Sequence, residues 1–106
     1  MFARIVSMRL KANTQREFNE SYDQQVVPTL RKQQGFKDHL LCVVPGGPEA
    51  VSITLWDSKE SAETYGRATY ADVLKTVAKS IEGTPEVRTF ELASSSFHKI
   101  AARVAA

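Results

Sequence analysis

The 106-residue sequence predicts an α+β fold of the ferredoxin-like type, with the element order β-α-β-β-α-β, an antiparallel sheet and both helices on one side of it. Three observations predict this fold. Segments rich in β-forming residues are separated by two segments whose apolar residues recur every three to four positions, which is typical of helices. A PGGP turn at residues 45–48 joins two of the strand segments into a hairpin. The chain also has the length of one domain.

The first strand is predicted over residues 2–10, FARIVSMRL. Because apolar residues lie on both of its faces, we expect the strand to be covered on both sides. One face carries Phe2, Val6, Met8 and Leu10, and the other carries Ala3 and Ile5.

The first helix is predicted to begin at TQRE, where Thr14 and Glu17 have the spacing of a capping box. Pro28 removes a backbone donor, so a kink or an early end is expected near Val27. Gly35 suits a left-handed stop after the last turn. The apolar stripe of this helix recurs every four residues, at Phe18, Tyr22, Val26 and Leu30.

Two strands are predicted around the PGGP turn, within residues 35–56. After the second of them, Asp57 or Ser58 is expected to cap another helix that has an acidic residue in its first turn. This helical region is predicted to run to about Ile81, with an interruption near Gly66.

A last strand is predicted over residues 86–93, EVRTFELA, because Gly83 suits a helix end and Pro85 prevents the helix from continuing. We therefore expect a single domain over residues 3–98 and a C-terminal tail over residues 99–106.

The composition excludes several classes of protein. A formal charge of +2, scattered along the chain, does not suggest a nucleic-acid partner. The lone cysteine, Cys42, cannot form an internal disulfide, which favours a reducing cytosol. Residues 1–11 carry Arg4 and Arg9 and lack the apolar core of a signal peptide, and no segment approaches the ~20 apolar residues that span a bilayer. We expect a cytoplasmic protein without a nucleic-acid or membrane partner.

The sequence contains no motif for a metal site or a bound cofactor. Two histidines and one cysteine, without a close cluster of His, Asp or Glu, argue against metal binding. There is no Ser–His–Asp spacing, no glycine-rich phosphate loop and no dinucleotide-binding fingerprint. We therefore expect neither a metal nor a cofactor.

The predicted sheet has one face without helices. Its strands are apolar on both faces, so something must cover that second face. A second copy of the chain, packed sheet against sheet, is the simplest cover, and a chain of this size gains from the extra burial. We expect a homodimer.

The succession of elements carries a family resemblance. A proline-bearing first helix, QGF (34–36), a hairpin, LWDSKES (55–61) and an interrupted second helix follow one another over residues 3–97. This succession resembles the antibiotic-biosynthesis-monooxygenase-like family of dimeric α/β barrels. The resemblance implies that two ferredoxin-like sheets pack into one barrel around small-molecule sites. Several members oxidise small aromatic or polyketide molecules with molecular oxygen and no metal or flavin, whereas others degrade haem, isomerise small molecules or have no established activity.

The haem-degrading branch of that family can be tested against individual residues. It uses an asparagine on the first strand, a tryptophan one turn into the second helix, and a later histidine that binds iron. Aligned through LWDSKES, these positions hold Val6 or Ser7, Tyr65 and Lys75. A protonated lysine has no lone pair for iron, so we reject haem chemistry of that kind.

The cofactor-independent chemistry needs a base, or hydrogen-bond donors, to turn a phenol into an electron-rich anion in a water-poor pocket. His39 titrates near neutral pH when unperturbed and is the candidate base. Tyr65 and Tyr70 flank the predicted helix interruption and are the candidate oxyanion donors. The candidate substrate contacts are Trp56, Arg67 and Tyr22.

Each candidate also has a structural interpretation. Packing is the favoured interpretation of Trp56, at a strand end before a helix, and Tyr22 lies on the core stripe. Arg67 is typical of a solvated charge, and His39 of a hydrogen-bonded residue on a strand edge. His98, near the C-terminus, is the weaker of the two histidines. For the two tyrosines at the interruption, the site and packing interpretations carry equal weight.

The leading hypothesis is a cofactor-independent monooxygenase that acts on a small aromatic or quinone-like molecule. One alternative is a non-catalytic dimeric barrel that binds a small molecule. Another is an isomerase or lyase on the same fold, because a fold does not determine a function.

Overall fold

The structure, a computed structural model, describes residues 1–100 and confirms the ferredoxin-like fold. Most of the predicted C-terminal tail, 99–106, lies outside the described residues. The elements in chain order are β1 (Phe2–Leu10), α1 (Gln15–Ser21), a π-helical turn (Tyr22–Val26), α2 (Val27–Arg31), β2 (Phe36–Val43), β3 (Glu49–Trp56), α3 (Lys59–Ala68), α4 (Tyr70–Val77), a short 3-10 turn (Ala78–Ser80) and β4 (Ile81–Glu91).

The four strands form one antiparallel sheet in the order β2-β3-β1-β4. β1 and β3 lie in the centre, and β2 and β4 are the edges. Thr54 of β3 pairs with Arg4 of β1 on one side and with His39 of β2 on the other. Side chains alternate across a strand, so these three residues lie in one row on one face.

That face is the one that packs against the helices. The helices bury Phe18 and Trp56 completely, and the core that they form with the sheet holds most of the chain's large apolar side chains. Its buried members are Val6, Met8, Leu10, Phe18, Tyr22, Val26, Leu30, Ala50, Trp56, Ala62, Tyr65, Val73, Val77 and Ile81.

The first helical segment differs from its prediction in how it begins. Thr14 is the N-cap, but its side chain makes no cap hydrogen bond, so the predicted capping box with Glu17 is wrong. The Thr14 hydroxyl instead donates to the carbonyl oxygens of Lys11, at 2.7 Å, and Ser80, at 3.3 Å. The hydroxyl thus joins the start of this helix to the end of the second one.

The predicted irregularity near Val27 is confirmed as a π-helical turn, Tyr22–Val26, placed just before it. Pro28 lies in the first turn of α2, where its missing donor costs little. The extra residue in a π-helical turn rotates the side chains around it, and such turns are frequent at functional sites.

The second helical segment begins as predicted, because Ser58 caps α3 by accepting from the Ser61 amide at 3.1 Å. Its interruption lies at Thr69, three residues after Gly66. Among residues 1–100, no helix is long and apolar enough to cross a membrane.

The end of the second helical segment and the start of β4 were predicted too late. Helix α4 ends at Val77, and β4 begins at Ile81 rather than at residue 86. Gly83 and Pro85 therefore lie inside the strand. An edge strand tolerates proline, and Gly83 takes a positive φ of 70° opposite an irregularity in the pairing with β1.

The face without helices is only partly covered. Leu40 and Phe90 on this face are 47% and 39% exposed, respectively. Ala3 and Leu55, which pair with each other, are nevertheless buried, at 5% and 7% exposed.

A C-terminal strap, residues 92–98, is attached near both edges of this sheet. The Leu92 amide donates to the Met1 carbonyl at 2.9 Å beside β4, and His98 Nε2 lies 2.9 Å from Asp38 Oδ2 on β2. Asp38 pairs with Leu55, so the His98 contact lies at the β2 end of the row that contains Leu55 and Ala3. The other Asp38 oxygen, Oδ1, accepts from the His39 amide at 2.8 Å.

Gly35 connects α2 to β2 in a position that only glycine fits. Its φ is +82°, as predicted for a left-handed stop, and its carbonyl accepts from the Asp57 amide at 2.8 Å. A Cβ at this residue would overlap Ser61 Oγ and Asp57 Oδ1.

We expect Gly35→Ala to lower the free energy of unfolding by about 1–2 kcal/mol through the left-handed backbone and by about 1–3 kcal/mol more through overlap. Gly46→Ala is the matched control, because Gly46 also has a positive φ, 65°, with open space around it. Urea unfolding measures both variants. Equal losses would show that the close approach at Gly35 is unimportant.

Candidate functional site

A row of polar residues crosses the otherwise apolar layer between sheet and helices. Arg4, Thr54 and His39 lie on adjacent strands in this row, and Arg4 and Thr54 are buried. Aromatic residues from the two helical segments close over it. We call Arg4, Tyr22, His39, Tyr65 and Tyr70 the Arg4 cluster.

Arg4 is the centre of this cluster. Its side chain is 7% exposed, and its guanidinium carbon lies 3.9 Å from the ring centroid of Tyr70 and 5.3 Å from that of Tyr65. Among residues 1–100, no ion pair joins Arg4 to a carboxylate. Burial accordingly lowers the pKa of Arg4, while Tyr65, Tyr70 and Tyr22 oppose that shift.

The aromatic contacts do not fully offset the energetic cost of burying the Arg4 charge. A cation–π contact is worth about 0.5–2 kcal/mol, whereas desolvating an ion costs several kcal/mol. Arginine does not lose its proton under ordinary conditions, so it cannot escape this cost by neutralisation. The site therefore holds a positive charge that its own described residues do not neutralise.

His39 and Tyr22 stack on each other at one end of the cluster. Their ring centroids are 5.2 Å apart with an angle of 15° between the planes. Tyr22 begins the π-helical turn and is 5% exposed, so its prediction as a core residue is confirmed. Burial raises the pKa of Tyr22, and a hydrogen bond with Ser52 partly opposes the rise.

His39 is set up to accept a proton. Its Nε2 atom is buried and has no hydrogen-bond partner among residues 1–100. Burial lowers the pKa of His39, and the nearby carboxylates of Asp38 and Asp23 only partly offset that effect. The ring is therefore neutral at pH 7 and retains a lone pair on one nitrogen.

Tyr65 and Tyr70 enter the cluster from either side of the helix interruption. Thr69 lies at this interruption, and its hydroxyl donates to Gln33 Oε1 at 3.1 Å, which ties it to the end of the first helical segment. The rings of the two tyrosines are 6.4 Å apart. Burial raises the pKa of Tyr65 and of Tyr70, so both hydroxyls keep their protons.

The Tyr70 hydroxyl is a donor without an acceptor. It is buried, and no described residue provides a hydrogen-bond partner with suitable geometry. The nearby Arg4 guanidinium opposes the rise in the Tyr70 pKa, but a guanidinium can only donate hydrogen bonds and therefore cannot accept the Tyr70 proton. Buried unpaired polar atoms are uncommon in folded proteins and often belong to sites that bind something.

Trp56 lies beneath the cluster and is fully buried. Its indole Nε1 donates to Thr54 Oγ1 at 2.9 Å, and its ring centroid lies 4.9 Å from that of Tyr65 and 5.7 Å from that of Phe36. This placement agrees with the favoured packing interpretation, although the Tyr65 contact makes Trp56 part of the floor of the cluster.

The other sequence candidates lie elsewhere. Arg67 is 72% exposed and lies 4.0 Å from Glu63 on the same helix, so the structure does not bring it to the cluster. His98 lies on the opposite face of the sheet, against Asp38. Among residues 1–100, no three His, Cys, Asp or Glu side chains are grouped to hold a metal ion.

Sequence reasoning missed Arg4, the residue around which the cluster forms. The sequence did contain a signal. Arg4 is two residues from both Phe2 and Val6 and four from Met8, so it shares the apolar face of β1 with them. A single charged residue on the buried face of a central strand predicts a functional group in the core.

The structure has two surface clefts of interest: one borders the cluster, and the other lies at a distance from it. One, of about 330 Å³, is bordered by Tyr65, Gln33 and Ser61, on the outer side of the second helical segment. A larger one, of about 590 Å³, lies beside the PGGP turn at the far end of β1 and contains no member of the cluster.

Known proteins match this chain by structure. No family model and no curated protein matches it by sequence. A monooxygenase encoded by the ActVA-Orf6 gene of Streptomyces coelicolor, solved in complex with nanaomycin D, matches with a TM-score of 0.74 and 16% identity over 92% of each chain. SnoaB, a cofactor-independent oxygenase from Streptomyces nogalater, matches with a TM-score of 0.73 and 13% identity over 92% of this chain and 97% of its own.

A third solved structure is that of a haem-degrading protein. The heme-degrader MhuD from Mycobacterium tuberculosis, with two hemes in its active site, matches with a TM-score of 0.71 and 16% identity over 90% of this chain and 98% of its own. At such identities the likeness shows the fold. That fold is the one seen in antibiotic biosynthesis monooxygenase structures. The resemblance that the sequence suggested is therefore confirmed at the level of the fold.

If Trp56 is chiefly a packing residue, Trp56→Ala should lower the free energy of unfolding by about 3–5 kcal/mol, because it empties a fully buried aromatic position. Trp56→Phe retains most of the ring and should be much milder. Chemical denaturation of the two variants is the measurement. An Ala variant that unfolds like the wild type but no longer binds ligands would contradict the packing interpretation.

Proposed function

We propose that this protein is a cofactor-independent monooxygenase that oxidises a small aromatic or quinone-like molecule carrying a phenolic hydroxyl. The observation that carries the proposal is the presence, in one buried cluster, of a histidine ring nitrogen that can accept a proton and a tyrosine hydroxyl that can donate a hydrogen bond. They are His39 Nε2 and the Tyr70 hydroxyl, neither of which has a partner among the described residues. Two proteins with this fold, SnoaB and the Streptomyces coelicolor monooxygenase, are oxygenases by their descriptions.

The proposed reaction begins with a proton transfer. His39 Nε2 accepts the phenolic proton, and Tyr70, supported by Tyr65, donates a hydrogen bond to the resulting oxyanion. The electron-rich phenolate then passes one electron to molecular oxygen, which gives an aryloxyl radical and superoxide.

The remaining steps return the enzyme to its starting state. The two radicals combine to form a carbon–oxygen bond at a ring carbon that bears hydrogen, and the peroxide recovers the proton held by His39. Loss of water from the hydroperoxide leaves a quinone carbonyl. One atom of molecular oxygen is then in the product and the other is in water.

The surroundings of the cluster suit this chemistry. Tyr22, Tyr65 and Trp56 are each at most 5% exposed and form an aromatic wall next to the polar row. Excluding water strengthens each electrostatic contact inside the site and protects reactive intermediates from side reactions.

The same proposal includes a homodimer. The face without helices leaves Leu40 and Phe90 exposed. A second copy, packed sheet against sheet, would bury the remaining apolar surface.

We expect His39→Gln to reduce turnover about 10²–10⁴-fold in oxygen uptake with a panel of phenols and quinols, the usual range for a positioned base. Because burial lowers the pKa of His39, the wild-type rate should rise with pH and reach half its maximum below about pH 6.5. The lowered pKa also means that His39 contributes stability above about pH 6.5, which is lost as the pH falls through its folded value.

Two further variants control that assay. Tyr70→Phe removes only a hydroxyl and should slow the reaction while leaving the unfolding curve unchanged. His98→Gln changes the histidine on the opposite face and should leave the rate and its pH dependence intact. If His39→Gln keeps full activity, the base is wrongly assigned; if no phenol supports oxygen uptake at any pH, the monooxygenase is wrong and the binding barrel becomes the better explanation.

The dimer is tested by sedimentation. The wild type should sediment at about twice the 11.8 kDa chain mass at micromolar concentration, and Leu40→Lys should shift it to monomer by placing a charge on the exposed sheet face. Val44→Lys is the matched control, since Val44 is 46% exposed against 47% for Leu40 but lies beyond the end of β2. A monomeric wild type would contradict the dimer.

A further inference from the structure

Arg4 is a buried cation, and one edge of its guanidinium faces a glycine. One face of the guanidinium lies over the Tyr70 ring, 3.9 Å from its centroid. The Nε and Nη2 atoms, which form the fork that arginine uses to bind two oxygens at once, point towards Gly66 of α3. Since Gly66 has no side chain, nothing from that residue covers the fork.

Gly66 is unfavourable for its helix. A glycine inside a helix is less stable than alanine there, and Gly66 has no positive φ that would require it. It does not mark the helix interruption either, which lies at Thr69. A Cβ at Gly66 would lie 3.7 Å from both Nε and Nη2 of Arg4, in the space that an oxygen bound to the fork needs.

Two locally unfavourable choices therefore meet at one point. The chain buries a charge that has no carboxylate partner within residues 1–100, and it keeps a helical glycine beside the donor edge of that charge. Each choice costs folding stability, and both become favourable when an anion occupies the fork, because charge-assisted bidentate hydrogen bonds to a guanidinium are strong. Natural chains keep such violations mainly at functional sites.

We infer that Arg4 and Gly66 form an anion-binding site that selects the ionised form of an aromatic ligand, with the negative oxygen on Arg4 Nε and Nη2. This inference rests on the proposed function for its choice of an aromatic ligand. It narrows the substrate class to acidic phenols, whose phenolate Arg4 stabilises when His39 takes the proton.

Binding of 4-nitrophenol tests the inference without turnover, because its phenolate has its own visible absorbance. Titration in the absence of oxygen should show that the wild type binds the phenolate in preference to the phenol, so that the pKa of the bound probe falls. Arg4→Gln should weaken phenolate binding about 10–100-fold, the loss expected for hydrogen bonds to a charged group, and should abolish that shift. Arg9→Gln is the matched control, since Arg9 is an exposed arginine of the same strand on the opposite face.

Thermal unfolding separates a binding role from a structural one. Arg4→Met keeps an unbranched apolar side chain and removes a buried charge, so its Tm should equal or exceed that of the wild type. Gly66→Ala should also raise Tm, because alanine has a higher helix propensity than glycine, while weakening the binding of 4-nitrophenolate. A lower Tm for Arg4→Met together with unchanged phenolate binding in Arg4→Gln would overturn the inference and make Arg4 a structural anchor.

The two proposals fail in different ways. If phenolate binding depends on Arg4 but no phenol supports oxygen uptake, the monooxygenase proposal is contradicted and the anion site is supported. Oxygen uptake by Arg4→Gln with an unchanged KM would overturn the anion site and leave the monooxygenase standing.

Discussion

The layer between sheet and helices is organised by the need to accommodate one guanidinium. Arg4 lies in the middle of a central strand, where every neighbour is protein and water cannot reach most of it. The groups gathered around it are aromatic faces rather than carboxylates, and they come from both helical segments. The π-helical turn and the interruption at Thr69 are departures from regular helix, and both adjoin tyrosines of the Arg4 cluster.

The fold was predictable where a residue's environment follows from its near neighbours in sequence. The bounds of β1 follow from alternation over nine residues, and the cap of α3 follows from Ser58 and its first turn. The start of β4 did not follow, since Gly83 and Pro85 suggest a break and only their pairing with β1 makes them part of a strand. Residues 81–85 thus owe their conformation to a partner far away in sequence.

The site was predictable in part for the same reason. Tyr65 and Tyr70 flank the predicted helix interruption, and His39 is the histidine of a predicted strand. The structure brings these three candidates into one cluster with Tyr22. The two arginines show the limit of this approach. Arg67, a candidate ligand contact whose alternative interpretation is a solvated charge, is exposed, while Arg4, which was not a candidate, is buried. Their exposure depends on which face the helices cover, and that is a property of the whole fold.

Asp38 interacts electrostatically with a histidine on each face of the sheet. One of its oxygens meets His98 of the strap, and the other accepts from the backbone of His39, whose ring lies on the helix side. Its negative charge raises the pKa of His39 against the effect of burial, and the contact with His98 lowers the pKa of Asp38 itself. A carboxylate that meets the strap on the outer surface therefore contributes through its charge to the basicity of His39 on the helix side, across the thickness of a single strand.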